Sequence, residues 1–340
     1  MRRVFLVTVL LICSIPAVAG DPSSRPAASA VGRPALTRIF ANWKARRERI
    51  TALHFAWDER LTIPKGHRDF IGIEDTVVAK DSYHSQRGNE LWIAGNDHLC
   101  VEFHEWPSKL PATPAGKEGI VGRQTFNGEL AARFWVSPSD KWLFVPQAWI
   151  HRAKEQEDIG SRAFTPLLLT YRTLHPWLPW RPEDCRLITE NAIIDGVRYV
   201  KFEQRVNDHG IPTVDACWVD PRRDDVVVAW ERRPNGGPSH PTWRGSCEYQ
   251  KDRTFGWVPI RWRAEFGADT YLICESTVTT YDLNQPIPSQ KFDPHFPTGT
   301  YVADGPNRQS YVTQEDGSRR TLTHEEFQRS IEPVPFTGRS

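Results

Sequence analysis

VRYVKFEQRV (197–206) and VPIRWRAEF (258–266) alternate apolar and polar residues almost one by one. In the first, Val200, Phe202 and Val206 share one side, and Tyr199, Lys201, Glu203 and Arg205 share the other. In the second, Val258, Ile260, Trp262, Ala264 and Phe266 oppose Arg261, Arg263 and Glu265. A period of two sends successive side chains to opposite faces of a strand. Pro, Gly and Asp punctuate residues 197–281, so the whole stretch predicts a half-buried antiparallel meander. One of its faces requires an apolar cover.

Upstream, short strands are expected from about Leu53, where Phe55 and Trp57 alternate with His54 and Ala56, and again over 76–80, 91–94, 98–105, 130–136 and 142–145. Before them, Pro34 suits the first position of a helix. Leu36, Ile39, Phe40, Trp43 and Ile50 follow near helical spacing, with Lys44, Arg46, Arg47 and Arg49 largely off that face, an amphipathic helix lying on something. Between the two groups of strands, residues 164–174 are apolar and aromatic and suit a short helix. The stiff loop His175-Pro176-Trp177-Leu178-Pro179-Trp180 follows. Such an insertion suits the lid of a curved sheet. Near the end, Thr323-His324-Glu325-Glu326 has the capping-box pattern that opens a last short helix.

The N-terminus reads as an export signal. Arg2 and Arg3 precede an apolar run over 4–15, and Ala17-Val18-Ala19 offers small residues for cleavage. The expected organisation is a signal peptide at 1–19, a Pro/Ser/Ala-rich tether at 20–33, one domain at 34–331 and a tail at 332–340. The mature chain is then periplasmic or secreted, and no later stretch approaches the roughly 20 apolar residues of a membrane-spanning helix. Taking away Arg2 and Arg3 leaves 41 of the 43 basic residues against 42 acidic ones, a net charge of −1. That evenly mixed charge argues against nucleic acid as a partner. Five cysteines remain, Cys100, Cys185, Cys217, Cys247 and Cys274. Cys217 and Cys247, on nearby strands, form the favoured disulfide.

Chemistry-bearing patterns are sparse. His98, Cys100, Glu102 and His104 place four metal-capable side chains on one face of a strand, with Leu99, Val101 and Phe103 on the other. Donors two apart on a strand are about 7 Å apart, too far for all four to close one tetrahedron, and a solvated outer face is the favoured reading. Cys100 as a thiol nucleophile has only composition behind it. Gly245-Ser246-Cys247 lacks the second glycine of a nucleophile elbow. The acid pairs Asp58-Glu59, Asp224-Asp225 and Glu325-Glu326 point apart or sit in turns and caps, so a glycosidase pair is disfavoured. No metal or cofactor is expected.

Two stretches resemble a known family. The amphipathic segment 36–50 leads into Phe55-Ala56-Trp57-Asp58, and the end of the chain holds Phe292-Asp293-Pro294-His295-Phe296-Pro297-Thr298-Gly299-Thr300-Tyr301-Val302-Ala303-Asp304. This arrangement resembles the LolA-like and RseB-like superfamily of periplasmic lipoprotein carriers. The resemblance implies an α+β, mainly antiparallel fold, an unclosed half-barrel with helices covering its concave face. It also implies a non-catalytic protein holding a lipid, an acyl chain or an acylated protein segment, with an envelope protein as a further partner. Phe55, Trp57, Leu167, Leu168, Leu169, Trp218 and Trp262 are the residues assigned to that apolar interior. An RseB-like sensor or interaction module is the alternative, and a secreted hydrolase a more remote one.

Overall fold

The computed structural model describes residues 33–66, 82–95, 98–105, 120–135, 146–152, 164–172, 180–208, 211–235, 243–267 and 270–326. The expected leader at 1–19, the strands at 76–80 and 142–145, Trp177 and the tail at 332–340 lie outside the described residues, as does nearly all of the tether.

Helix α1 (Arg33–Arg49) precedes β1 (Ala52–Ile63), β2 (Tyr83–Ala94), β3 (His98–Glu105), β4 (Ile120–Asn127), β5 (Leu130–Trp135) and β6 (Gln147–Arg152). After helix α2 (Thr165–Tyr171) come β7 (Cys185–Ile194), β8 (Val197–Asp208), β9 (Ile211–Asp220) and β10 (Val226–Pro234). Then follow β11 (Trp243–Asp252), β12 (Gly256–Phe266) and β13 (Leu272–Leu283), and last β14 (Tyr301–Asp304), β15 (Gln309–Thr313) and β16 (Arg319–Leu322). All sixteen belong to one sheet, whose spatial order runs from β16 through β15, β14 and β6 down to β1, then from β13 down to β7. Every neighbouring pair is antiparallel except β14 with β6. The two edges, β16 and β7, do not pair, so the sheet is unclosed, as expected.

The alternation in the sequence becomes the two faces of this sheet. Val200 and Phe202 on β8 and Trp262, Ala264 and Phe266 on β12 are buried in the main core, while Arg261 and Arg263 are exposed. Asp195 and Gly196, both with positive φ, close the β7–β8 hairpin as a tight two-residue turn. The core gathers Leu53, Phe55 and Trp57 of β1, Leu91 and Ile93 of β2, Leu99, Val101 and Phe103 of β3 and the meander strands. Ile39 and Trp43 of α1 and the leucines of α2 join it, so both helices lie on one face of the sheet, the inner face. A smaller core of Phe134, Ile150, Phe296, Val302 and Tyr311 holds the C-terminal strands to β5 and β6.

Two expectations are corrected. Cys217 and Cys247 are not bonded to each other, and all five described cysteines are buried. Cys217 lies opposite Trp230, which lies opposite Gly245, so a whole strand separates the two thiols. Strands two places apart are roughly 9–10 Å apart, beyond the reach of a disulfide. The cysteines fill volume instead. Cys217 on one side and Gly245, Ala264 and Cys274 on the other flank Trp230 in one row across the inner face, and a Cβ at Gly245 would clash with the Trp230 ring and come 2.7 Å from the Arg263 carbonyl. The second correction is Arg46, which is only 4% exposed. It continues the buried stripe of Ile39 and Trp43, and its guanidinium finds backbone acceptors at Thr170 and Asp224.

The remaining acidic pairs have structural partners. The Asp225 carboxylate accepts from Arg38 and Asn42, and its carbonyl accepts from the Trp43 indole, which docks α1 on the β9–β10 turn. Thr323 and Glu326 form the expected capping box, each backbone N–H bonded to the other's side chain.

Candidate ligand-binding site on the inner face

The aromatic wall of the inner face is built by β1 and β12. Alternation on β1 sends Phe55 and Trp57 inward, and Trp57 meets Trp262 at 5.6 Å between ring centroids. Phe55 contacts Tyr171 and Tyr281, each at 5.7 Å. Against this wall lies α2. Seven residues are too few for a stable isolated helix, so tertiary packing holds it. Every one of its residues is buried, with Leu167 and Leu168 at 0% exposure.

Polar latches hold the C-terminal half of α2. The Thr170 hydroxyl lies 2.9 Å from the Pro166 carbonyl and 2.9 Å from the Tyr249 hydroxyl, which donates to the Val227 carbonyl at 2.7 Å. At the C-terminal end, Arg46 donates to the Thr170 carbonyl at 3.1 Å and Arg172 to the Tyr171 carbonyl at 2.8 Å. Arg172 also reaches the carbonyls of Gly95 and Thr51 at 3.2 Å each. Two guanidiniums at the negative end of the helix complement its dipole. Burial lowers the pKa of Arg46 and pushes that of Arg172 down to about 10, with nearby Arg47 adding to the latter.

Six of the seven sequence-assigned residues converge here: Phe55, Trp57, Leu167, Leu168, Leu169 and Trp262 all belong to the main core. Trp218 does not. It pairs with Lys201 across β8 and β9, and the Lys201 ammonium sits 4.5 Å over its ring on the outer face. Its neighbours Cys217 and Val219 take the inward positions. Sequence reasoning missed Arg46, Arg172 and Tyr249. It also missed Glu59, 1% exposed, whose Oε1 takes two hydrogen bonds from Arg87 at 3.0 and 2.7 Å. Glu59 was legible in principle, because it keeps the inward phase of Phe55 and Trp57.

The His98–His104 ladder lies on the outer face, as its alternation implies, yet it is not solvated. A single 3-10 turn at Ser289–Phe292 crosses it. Lys291 donates to Glu102 at 2.9 Å, Arg123 to the Lys291 carbonyl at 2.9 Å, and Phe292 packs on His98. Cys100 is fully buried and its thiol is pushed up to about 11, chiefly by burial, so it is not a thiolate at neutral pH. No metal-competent group of three His, Cys, Asp or Glu residues occurs among the described residues. Beside the ladder, a surface pocket of about 520 Å³ is lined by Trp92, Arg123, Ile287, Pro288, Lys291 and His295 among others.

The sequence matches no protein-family model, and it matches no curated protein. Solved structures do match. A domain of an outer membrane lipoprotein-sorting protein from Vibrio parahaemolyticus is 13% identical, with a TM-score of 0.44 over 76% of this chain and 95% of that one. A DUF1329 family protein from Desulfovibrio piger is 9% identical, with a TM-score of 0.41 over 76% of this chain and 98% of the other. A LolA superfamily protein from Nitrosomonas europaea is 13% identical, with a TM-score of 0.42 over 75% and 97%. Among the described residues no helix is long and apolar enough to cross a membrane.

Proposed function

We propose that the chain is an exported, non-catalytic carrier that takes a long-chain lipid or acyl group onto the inner face of its sheet, in the place α2 now fills. The observation that carries this reading is α2 itself, a wholly buried seven-residue helix whose leucines lie on the aromatic wall of Phe55, Trp57 and Trp262. An apolar plug of that size, held by burial and latched at its C-terminal end, is the shape of a guest. Withdrawing three leucines forfeits roughly 5–9 kcal/mol of burial. A guest offsets this at about 0.8 kcal/mol per methylene, so it carries on the order of a dozen methylenes or more.

The test uses N-phenyl-1-naphthylamine, an uncharged probe that brightens in apolar surroundings. The expected result is saturable binding to the mature protein and displacement by long-chain lipids. Folded protein that binds neither probe nor lipid would sink the carrier reading and leave a protein-interaction role. Export is tested separately by sequencing the N-terminus of the secreted product, where a start near Gly20 is expected and an intact Met1 on a cytoplasmic product would overturn it.

A further inference from the structure

On the inner face, the apolar wall of Phe55 and Trp262 gives way to buried polar side chains that carry unpartnered atoms. Trp57 lies opposite Asn89 across β1 and β2, and Glu59 lies opposite Arg87 on one side and Ser276 on the other. Trp262 in turn lies opposite Ser276. Directly opposed residues have Cβ atoms about 4.5–5.5 Å apart, so these side chains form one contiguous patch. Glu59, Asn89 and Ser276 are 1%, 1% and 0% exposed. The Asn89 amide has no partner at either Nδ2 or Oδ1, and Glu59 Oε2, Ser276 Oγ and Trp57 Nε1 have none either.

Buried polar groups are almost always hydrogen-bonded, and each orphan costs stability. Here five orphan atoms cluster at the end of an apolar surface. Their chemistry is mixed. The indole N–H only donates, the carboxylate oxygen only accepts, the amide does one at each end, and the Ser276 hydroxyl does both. A carboxylate or phosphate has acceptors alone and would meet the free oxygen of Glu59. A hydroxyl donates once and accepts twice, so it can meet donors and acceptors of the set alike, and a head group with two hydroxyls can reach all five.

We infer that Trp57, Glu59, Asn89 and Ser276 form the polar end of the inner-face site and receive an uncharged, hydroxyl-bearing head group of a long-chain amphiphile. This rests on the carrier reading and names its substrate class. The tail runs along Phe55 and Leu91, which continue the same inward rows of β1 and β2 away from the patch.

The experiment displaces N-phenyl-1-naphthylamine from the mature protein with monoolein, methyl oleate and oleate, which share one tail. Monoolein is expected to compete about tenfold better than methyl oleate, the yield of two or three neutral hydrogen bonds, and better than oleate. The double variant Asn89→Leu, Ser276→Ala removes three orphan atoms while Leu keeps the branched four-atom shape of Asn. It is expected to melt roughly 2–4 °C higher, because orphans are removed, and to bind monoolein and methyl oleate alike. Equal competition by the three lipids on the wild type overturns the head-group assignment while the carrier reading stands. A variant that keeps the monoolein preference, or melts lower, overturns it too, since the groups would then be satisfied internally. Absence of all lipid binding removes the carrier reading and the assignment together.

Discussion

Trp262 shows how much one side chain of this sheet carries. It packs on Trp57 with 2% exposure, so Trp262→Ala should cost roughly 3–5 kcal/mol in a urea titration. Trp218→Ala, on the outer face under Lys201, should cost clearly less; equal losses would mean that the faces are misassigned. His54 sets a pH dependence. Its pKa is raised above 6.5, first by the hydrogen bond to Glu90 on β2 and then by Asp282 on β13. That stabilisation is fully present below 6.5 and fades as pH rises through the folded value. Glu90, which also feels His104 of β3 and Lys291, is lowered from 4.5, so its share is present above 4.5 and fades as pH falls through its folded value. The network therefore contributes most between about 4.5 and 6.5. His54→Gln should lower the urea midpoint more at pH 6 than at pH 9; an equal loss at both would show that the His54 charge plays no part.

At the scale of elements, the carrier proposal gives α2 two states, docked and withdrawn. Leu168→Ala should destabilise the protein by roughly 2–5 kcal/mol, since the leucine is fully buried. The same change should tighten N-phenyl-1-naphthylamine binding, because a plug that docks less well leaves the site open more of the time. Weaker binding in a folded Leu168→Ala protein would mean that α2 is part of the site wall and not its occupant. The existence of α2 was legible from its apolar run and Pro166. Its latches were not, because Arg46 and Arg172 look like surface residues until the fold lays backbone carbonyls in front of them. Asn89 and Ser276 did leave a trace, as polar residues in the inward phase of their strands.

Across the whole molecule, a sixteen-stranded open sheet has two edges to protect. Edge β16 is four residues long and carries Arg319 and Arg320. Edge β7 is broken by two register shifts, yet it exposes Ile188 and Ile193, the latter at 68%. Bulges, short strands and charge are the usual defences of a free edge, and β7 has bulges and the exposed Arg186 and Glu190, but none of these charges sits at Ile193. Ile193→Lys should leave the unfolding free energy within about 0.5 kcal/mol and reduce light scattering on concentration. If it destabilises strongly, Ile193 is covered in solution.

Local order determined the elements. A period of two in the meander, a helical stripe at 39, 43 and 50, and Thr323 with Glu326 each depend on contacts within a few residues, and the structure keeps all three. The antiparallel sheet followed from the alternation and spacing of the strands, and that it is unclosed was implied by the family resemblance alone. What only the tertiary structure decided was adjacency. Pairing β13 with β1 put Ser276 beside Glu59 and left β12 one strand away from β1, and placing β10 between β9 and β11 kept Cys217 from Cys247. Those neighbours are more than two hundred residues apart in the first case and thirty in the second. Alternation tells which face a side chain takes but not which strand lies next to it, and the candidate site is made of residues from strands that only the fold brings together.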